Sequence, residues 1–349
     1  MIILGIESSC DETAAAIVKD GSTLLANNIA SSMNIHAEYG GVVPEIAARS
    51  HIESIIPIID KTLKEFSRKT SNSDPWQNID GIAVTNGAGL SGSLLIGVLT
   101  ARTLAILKNK PLYAINHVEA HVYANFLVEL QPQFPLLALI VSGGHTQLVF
   151  FRDHFDYDLL GQTTDDAIGE AFDKVAKIIG LPYPGGPNVA KVALSGDSKK
   201  YDLPIAKVQG DYNFSFSGLK TAVLRSSQAA VGADYRLPST ELPDKLTVAQ
   251  KQDIAASFQY TAVKTVVDKT LKAYKQYQPK SVVIAGGVAA NQELRSQLSN
   301  RLPIKINYAS TSLCTDNAAM VATLGCFKMI NGLKPSNPYS LAINPNLKM

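Results

Sequence analysis

Cysteine is scarce in this chain of 349 residues: there are three, at positions 10, 314 and 326, with no paired spacing. That excludes a disulfide framework and a cysteine-rich zinc site, and a reducing, cytoplasmic location is expected. Long apolar runs are missing as well. The longest compact ones, Leu136 to Val141 and Val282 to Ala285, have strand length, well short of the roughly eighteen residues of a membrane helix. No membrane association is expected. The opening stretch Met1-Ile-Ile-Leu-Gly-Ile-Glu7 lacks the basic region and cleavage site of a signal peptide and reads as a buried strand. Excess charge of either sign is absent, with 32 Lys and Arg against 30 Asp and Glu, a balance that taken alone argues against nucleic acid. No G-x-G-x-x-G follows the first strand, which excludes a Rossmann dinucleotide site.

What is present is a globular composition, 46% hydrophobic and 18% charged, with an uneven distribution of charge. Between Lys191 and Arg301 there are 16 Lys and Arg against 9 Asp and Glu, a net of +7, which leaves 16 against 21 elsewhere, a net of −5. One part of the chain can therefore face a polyanion, although solvated helix faces produce the same count.

Periodicity predicts strands at 2–7, 13–19 and 23–30, a helix from Pro44 to about Phe66, a strand at 79–84, a glycine-rich turn at 86–92, a helix to about Leu107, a strand at 112–115 and a helix after the N-cap Asn116. The order then repeats: strands at 136–141, 146–151 and 157–160, a helix at 166–179, a breaker at Pro184-Gly-Gly-Pro187, a long helix from Val248 to about Tyr274, and strand–helix pairs at 281–300 and 304–330. Two βββαβαβα halves imply an α/β protein with mixed sheets, helices on both faces and a central cleft. The halves are expected at 1–132 and 133–349, the second carrying a helical insertion around 187–246.

Two strand-to-strand turns, Glu7-Ser-Ser-Cys-Asp-Glu-Thr13 and Ser142-Gly-Gly-His-Thr146, are small and polar enough for backbone amides to approach phosphate oxygens. The arrangement resembles the paired phosphate loops of the actin, Hsp70 and sugar-kinase superfamily, and Val283-Ile-Ala-Gly-Gly-Val-Ala-Ala-Asn291 resembles its adenosine motif. The most specific stretch is His117-Val-Glu-Ala-His121. Residues four apart share a helix face, so both imidazoles can reach one ion. A third ligand must come from elsewhere, and Asp316, expected in the first turn of a helix capped by Thr315, is the candidate; an acidic residue there also serves the helix dipole. A zinc protease needs H-E-x-x-H. Here Glu119 lies two residues after His117, about 200° around the helix, so it points away from the ion and reads as an outer-face or structural residue.

These segments, together with Gly169-Glu-Ala-Phe-Asp-Lys174, Tyr183-Pro-Gly-Gly-Pro187, Phe214-Ser-Phe-Ser-Gly-Leu-Lys220 and Cys314-Thr-Asp-Asn317, resemble in order and spacing the TsaD family of tRNA N6-adenosine threonylcarbamoyltransferases, once described as O-sialoglycoprotein endopeptidases. The likeness runs from residue 2 to about 330, and the polar loop 231–245 resembles the bacterial and organellar branch. It implies an actin/Hsp70-like, duplicated ribonuclease H-like fold. It implies transfer of threonylcarbamoyl from threonylcarbamoyl-AMP to the N6 amine of the adenosine 3′ to the anticodon in tRNAs reading codons that start with A. One divalent metal per subunit, Fe2+ favoured over Zn2+, would sit on His117, His121 and Asp316, although two imidazoles and a carboxylate suit both ions. Val141, Ser142, Gly143, Gly144 and His145 would contact the donor, and Asp173, Gly186 and Asn291 would hold its ribose and adenine end. Asp11 is the candidate proton acceptor, or a holder of a second cation, or a residue that bonds its own turn. Implied partners are tRNA, a paralogous TsaB-like subunit of the same fold and a small TsaE-like P-loop ATPase. The alternative enzyme reading is a superfamily ATPase or kinase, with a metalloprotease disfavoured.

Overall fold

The structure, a computed structural model, describes residues 1–349. Three apolar stretches at the start fold back on one another as β1 (Ile2–Glu7), β2 (Glu12–Lys19) and β3 (Thr23–Ser31). Asp20 and Gly21, with φ of 53° and 70°, make the tight turn between the last two. Helices α1 (Met33–Tyr39) and α2 (Pro44–Thr70) follow, then β4 (Gly81–Gly87), α3 (Ser91–Lys108), β5 (Leu112–Asn116) and α4 (His117–Tyr123). The sheet order is β3-β2-β1-β4-β5, with β2 antiparallel to both neighbours and β4 and β5 running parallel to β1.

The second sheet repeats this pattern. It is built from β6 (Leu136–Val141), β7 (Thr146–Asp153), β8 (Asp156–Gln162), β9 (Ser281–Ala285) and β10 (Ile306–Tyr308), in the order β8-β7-β6-β9-β10. Again the first pair of ladders is antiparallel and the second parallel. Between β8 and β9 lie α5 (Ile168–Ile178), α6 (Gly185–Ala193), α7 (Ser217–Ala230), α8 (Leu242–Lys245) and α9 (Val248–Tyr277), and α10 (Gln292–Arg301) precedes β10. The chain ends with α11 (Thr311–Cys314), α12 (Ala318–Ile330) and an irregular tail.

By its own contacts the chain divides into 1–131 with 309–349, and 132–308. This corrects the expected second half at 133–349. Helix α12 belongs to the first sheet, where it packs on β1, β2, β4 and β5. It is apolar on every side, with 318–326 all buried, so it needs an apolar surface above and below. Gly5 supplies close approach, because a Cβ there would collide with the Ala318 carbonyl oxygen. The expected breaker at Pro184-Gly-Gly-Pro187 instead opens α6, with Pro184 as N-cap. Proline is harmless in a first turn, where its missing N–H had no partner to lose.

Helix α3 has the length and mean hydropathy, 1.3 over 18 residues, that would allow it to cross a bilayer, which qualifies the expectation that nothing in the chain reaches that length. It covers β4 and α2, and buries Ser93, Leu94, Gly97, Val98, Ala101 and Ala105.

Candidate metal centre and candidate donor site

Strand β5 ends at Asn116, whose Oδ1 accepts from the backbone N–H of Val118 (2.9 Å) and Glu119 (3.3 Å) and so starts α4 at His117. One turn on, His121 faces the same way, the two ring centroids 4.7 Å apart. Asp316 comes to meet them: its Oδ1 lies 3.6 Å from His117 Nε2 and 3.3 Å from His121 Nε2. The three donor atoms fall within 4.8 Å of one another. Asp316 stands just before α12 rather than in its first turn, since Asn317 is the N-cap and accepts from Met320 N at 3.1 Å. The carboxylate is thereby left to face the imidazoles.

These residues fit a cation. His121 is 1% exposed, and neither of its ring nitrogens has a hydrogen-bond partner. The 3.3 Å approach of Asp316 to Nε2 lacks hydrogen-bond alignment, so it satisfies proximity but not bonding. A buried imidazole without a bond costs free energy that a metal recovers.

Behind His117 stands a support that the sequence did not single out. His117 Nδ1 lies 3.1 Å from Ser9 Oγ and 3.3 Å from Glu7 Oε2. Glu7 is fully buried; Thr85 Oγ1 donates to its Oε2 and Ser9 N to its Oε1, each at 2.6 Å. Burial alone would raise the Glu7 carboxyl, but His117 and the Thr85 bond outweigh it and hold it below the ordinary value. Burial likewise pulls His117 down, and the charges of Asp316 and Glu7 overcome it, leaving the imidazole well above its usual range. With Nδ1 occupied, Nε2 is the nitrogen free to bind an ion.

The turn from Ser8 to Asp11 is clamped from outside. Cys10 O accepts from Ser93 Oγ (3.1 Å) and lies 2.9 Å from Nε2 of the buried His51, whose Nδ1 meets Thr13 Oγ1 at 2.8 Å. Leu90 N, at the start of α3, donates to Ser9 O at 2.8 Å. Asp11 faces Glu12, which burial and the neighbouring Asp316 and Asp11 push up to about 10. Such carboxyl crowding is eased by a positive charge. Glu119 is not among the three converging groups, and it is 5% exposed rather than on an outer face. Burial pushes its carboxyl up to about 7, against the attraction of Lys328.

The residues expected at the donor all lie in 132–308. After β6, Ser142 N donates to His145 O (2.9 Å) and His145 N to Ser142 Oγ (3.1 Å), closing a turn whose two central glycines are exposed. A Cβ on Gly143 or Gly144 would meet nothing within 4 Å, so this backbone is open to a ligand. Helix α5 starts beneath it: Gly169 N donates to Ser142 O at 3.2 Å, and a Cβ on Gly169 would sit 2.5 Å from that oxygen. On the next turn of α5, Asp173 accepts from Gly185 N at 2.7 Å and also from Gly186; burial raises its carboxyl against these two donors. Gly286, with φ 91°, carries β9 past Val141 into the turn 287–290, which touches both β6 and α5. Asn291 then caps α10, accepting from Leu294 N at 3.0 Å while its Nδ2 donates to Gln259 Oε1 at 2.9 Å. Its side chain is therefore already engaged.

The family model described as TsaD, tRNA N6-adenosine threonylcarbamoyltransferase, matches residues 23–323. A protein of that name from Symbiobacterium thermophilum is 47% identical over 336 residues, 95% of this chain and 93% of that one. Another, from Anoxybacillus flavithermus, is 45% identical over 352 residues, 99% and 97% of the two chains. Among solved structures, HypF from T. kodakarensis aligns over 96% of this chain and 48% of its own, with TM-score 0.60 at 14% identity. Component A of the Acidaminococcus fermentans (R)-2-hydroxyglutaryl-CoA dehydratase aligns over 95% and 99%, with TM-score 0.50 at 13% identity. At these identities the structures show a common fold alone: the actin/Hsp70-like duplication.

Proposed function

The chain belongs to the TsaD family of tRNA N6-adenosine threonylcarbamoyltransferases, and from that premise we propose how its residues divide the work. The reaction is transfer of a threonylcarbamoyl group to the N6 amine of a tRNA adenosine, giving t6A. The donor in our reading is threonylcarbamoyl-AMP, and the acceptor is the adenosine 3′ to the anticodon in tRNAs reading codons that start with A. The N6 lone pair is delocalised into the purine, so the amine is a poor nucleophile and the donor carbon must be made electrophilic. His117, His121 and Asp316 would hold one divalent ion, Fe2+ in preference to Zn2+, and when bound it supplies Lewis acidity toward the carbamoyl oxygen.

The chain's own groups do the rest. Glu7 and Ser9 hold His117 in one tautomer. Val141, Ser142, Gly143, Gly144 and His145 contact the donor, the open glycine amides facing its phosphate. Asp173, Gly186 and Asn291 hold ribose and adenine. N6 attacks the carbamoyl carbon, the bond from that carbon to the AMP oxygen breaks, and Asp11 takes the proton released by the amine.

The convergence of three donor atoms within 4.8 Å carries this reading. An ATPase or kinase of the same fold has no use for it, and a metalloprotease lacks its base, because Glu119 is not among the groups that converge with His117 and His121. The test supplies the chain with threonine, bicarbonate, ATP, unmodified tRNA and helper proteins, and examines the nucleosides by mass spectrometry. Absence of t6A would end the assignment.

Two helpers belong to the proposal: a paralogous TsaB-like subunit and a TsaE-like P-loop ATPase. Ile52 and Ile56 on α2, 61% and 63% exposed, and Leu95 and Leu99 on α3, 44% and 45%, make an apolar face in the first unit. A subunit of the same fold would cover it; Ile56→Asp should abolish co-elution with that subunit, and unchanged co-elution rejects the surface. A cytoplasmic location belongs to the same proposal, since that is where the tRNA substrate is found.

A further inference from the structure

The segment 231–245 carries an exposed aromatic ring in a basic setting. Tyr235 is 65% exposed, and two guanidinium groups flank its ring, Arg225 of α7 at 5.4 Å and Arg236 at 5.6 Å from the centroid. The loop that presents it is anchored. Gln228, 3% exposed, donates through Nε2 to the carbonyls of Tyr235 (3.1 Å) and Leu237 (2.8 Å). Asp234 Oδ1 accepts from Arg236 N at 2.8 Å, and Ala233 N returns to Gln228 O at 3.0 Å. A buried amide spent on two loop carbonyls, together with these bonds, orders the backbone that presents the ring.

Sharing α7 and the same loop is a recess of about 540 Å3 with largely apolar walls, where Ile178, Leu224 and Pro243 alternate with Lys174, Lys177 and Lys220. Lys174 is engaged by Asp166 (2.7 Å) and Glu170 (2.8 Å), and Lys220 stands 3.7 Å from Asp166. Lys177, Arg225 and Arg236 make no ion pair, so their charge is available to a ligand.

An exposed flat ring with two planar cations close by suits a ligand that stacks and carries negative charge. Unpaired RNA bases stack on tyrosine, and guanidinium forks bind the flanking phosphates. We propose that Tyr235 with Arg225 and Arg236 is a stacking platform for an unpaired base of the tRNA substrate, and that the unpaired Lys177 serves an adjoining phosphate. This rests on the reading that the chain acts on tRNA.

The test measures binding of labelled, unmodified tRNA to the full chain across a salt series, alongside transfer kinetics. Tyr235→Ala is expected to weaken binding about 5- to 100-fold and to raise the KM for tRNA, leaving the kcat at saturating tRNA and the KM for the donor unchanged. Tyr235→Trp should restore affinity. Arg225→Ala and Arg236→Ala should each reduce the slope of log affinity against log salt by about 0.7 to 0.9. These side chains are exposed, and equal melting temperatures confirm intact folding. Unchanged tRNA affinity and KM in Tyr235→Ala overturn the platform, as does loss of a protein partner with tRNA binding intact. An unaltered chain that shows no salt-dependent tRNA binding overturns it too. A chain that binds tRNA through Tyr235 yet makes no t6A keeps the platform and rejects the transferase mechanism instead.

Discussion

The two sheets share one topology, yet the turns that follow their first strands have opposite chemistry. Glu7 closes β1 against His117, and Asp11 and Glu12 follow in a turn backed by buried His51. After β6 come Ser142, two open glycines and His145, with no acidic side chain in the turn. One copy has gathered carboxylates and imidazoles suited to a cation; the other has bared backbone N–H groups suited to an anion. A duplicated scaffold thus offers equivalent positions, and the residues placed there decide the sign of charge each turn accepts.

That contrast can be broken at several points. The largest effect is expected at the cation side: His121→Ala or Asp316→Ala should lower bound iron or zinc from about one per chain to near zero. Transfer should fall roughly a thousandfold, equivalent to about 4 kcal/mol; metal analysis and nucleoside mass spectrometry read the two effects. A variant that keeps its metal removes that residue from the ligand set.

Next come the glycines of the second unit, which separate packing from ligand access. Gly286→Ala, at φ 91° and against the Val141 carbonyl, should cost roughly 2–4 kcal/mol in denaturant unfolding. Gly143→Ala, in open space, should change stability by less than about 0.5 kcal/mol while raising the KM for the donor. Equal stability losses in the two would refute the open-turn assignment. A smaller effect is expected from Glu7→Gln, which keeps the shape but removes the charge behind His117. Metal affinity should fall about 10- to 100-fold, and titration calorimetry with Zn2+ reveals whether it does.

Much of this was legible in residue order. The period-2 and period-3.6 stretches placed nearly every strand and long helix, and the spacing of His117 and His121 put both rings on one face. Less legible were the contents of the polar stretches. Helix α1 and the start of α6 at Pro184-Gly-Gly-Pro187 lack the apolar period that marks a helix, being short and set by local turn chemistry. Glu7 carried a faint signal, an acid closing an apolar strand. Ser9 carried only its place in a small polar turn, and Thr85 and His51 carried nothing, because their value comes from neighbours distant in sequence.

The sequence by itself determined the doubled element order and the capped helix that pairs two imidazoles, since both follow from local periodicity and hydrogen bonding. Only the tertiary structure decided that α12 returns to the first sheet and carries Asp316 to those imidazoles while β1 carries Glu7 behind them. An all-round apolar helix declares that it will be buried, but which sheet buries it depends on the fit of small residues such as Gly5, a property of two surfaces together.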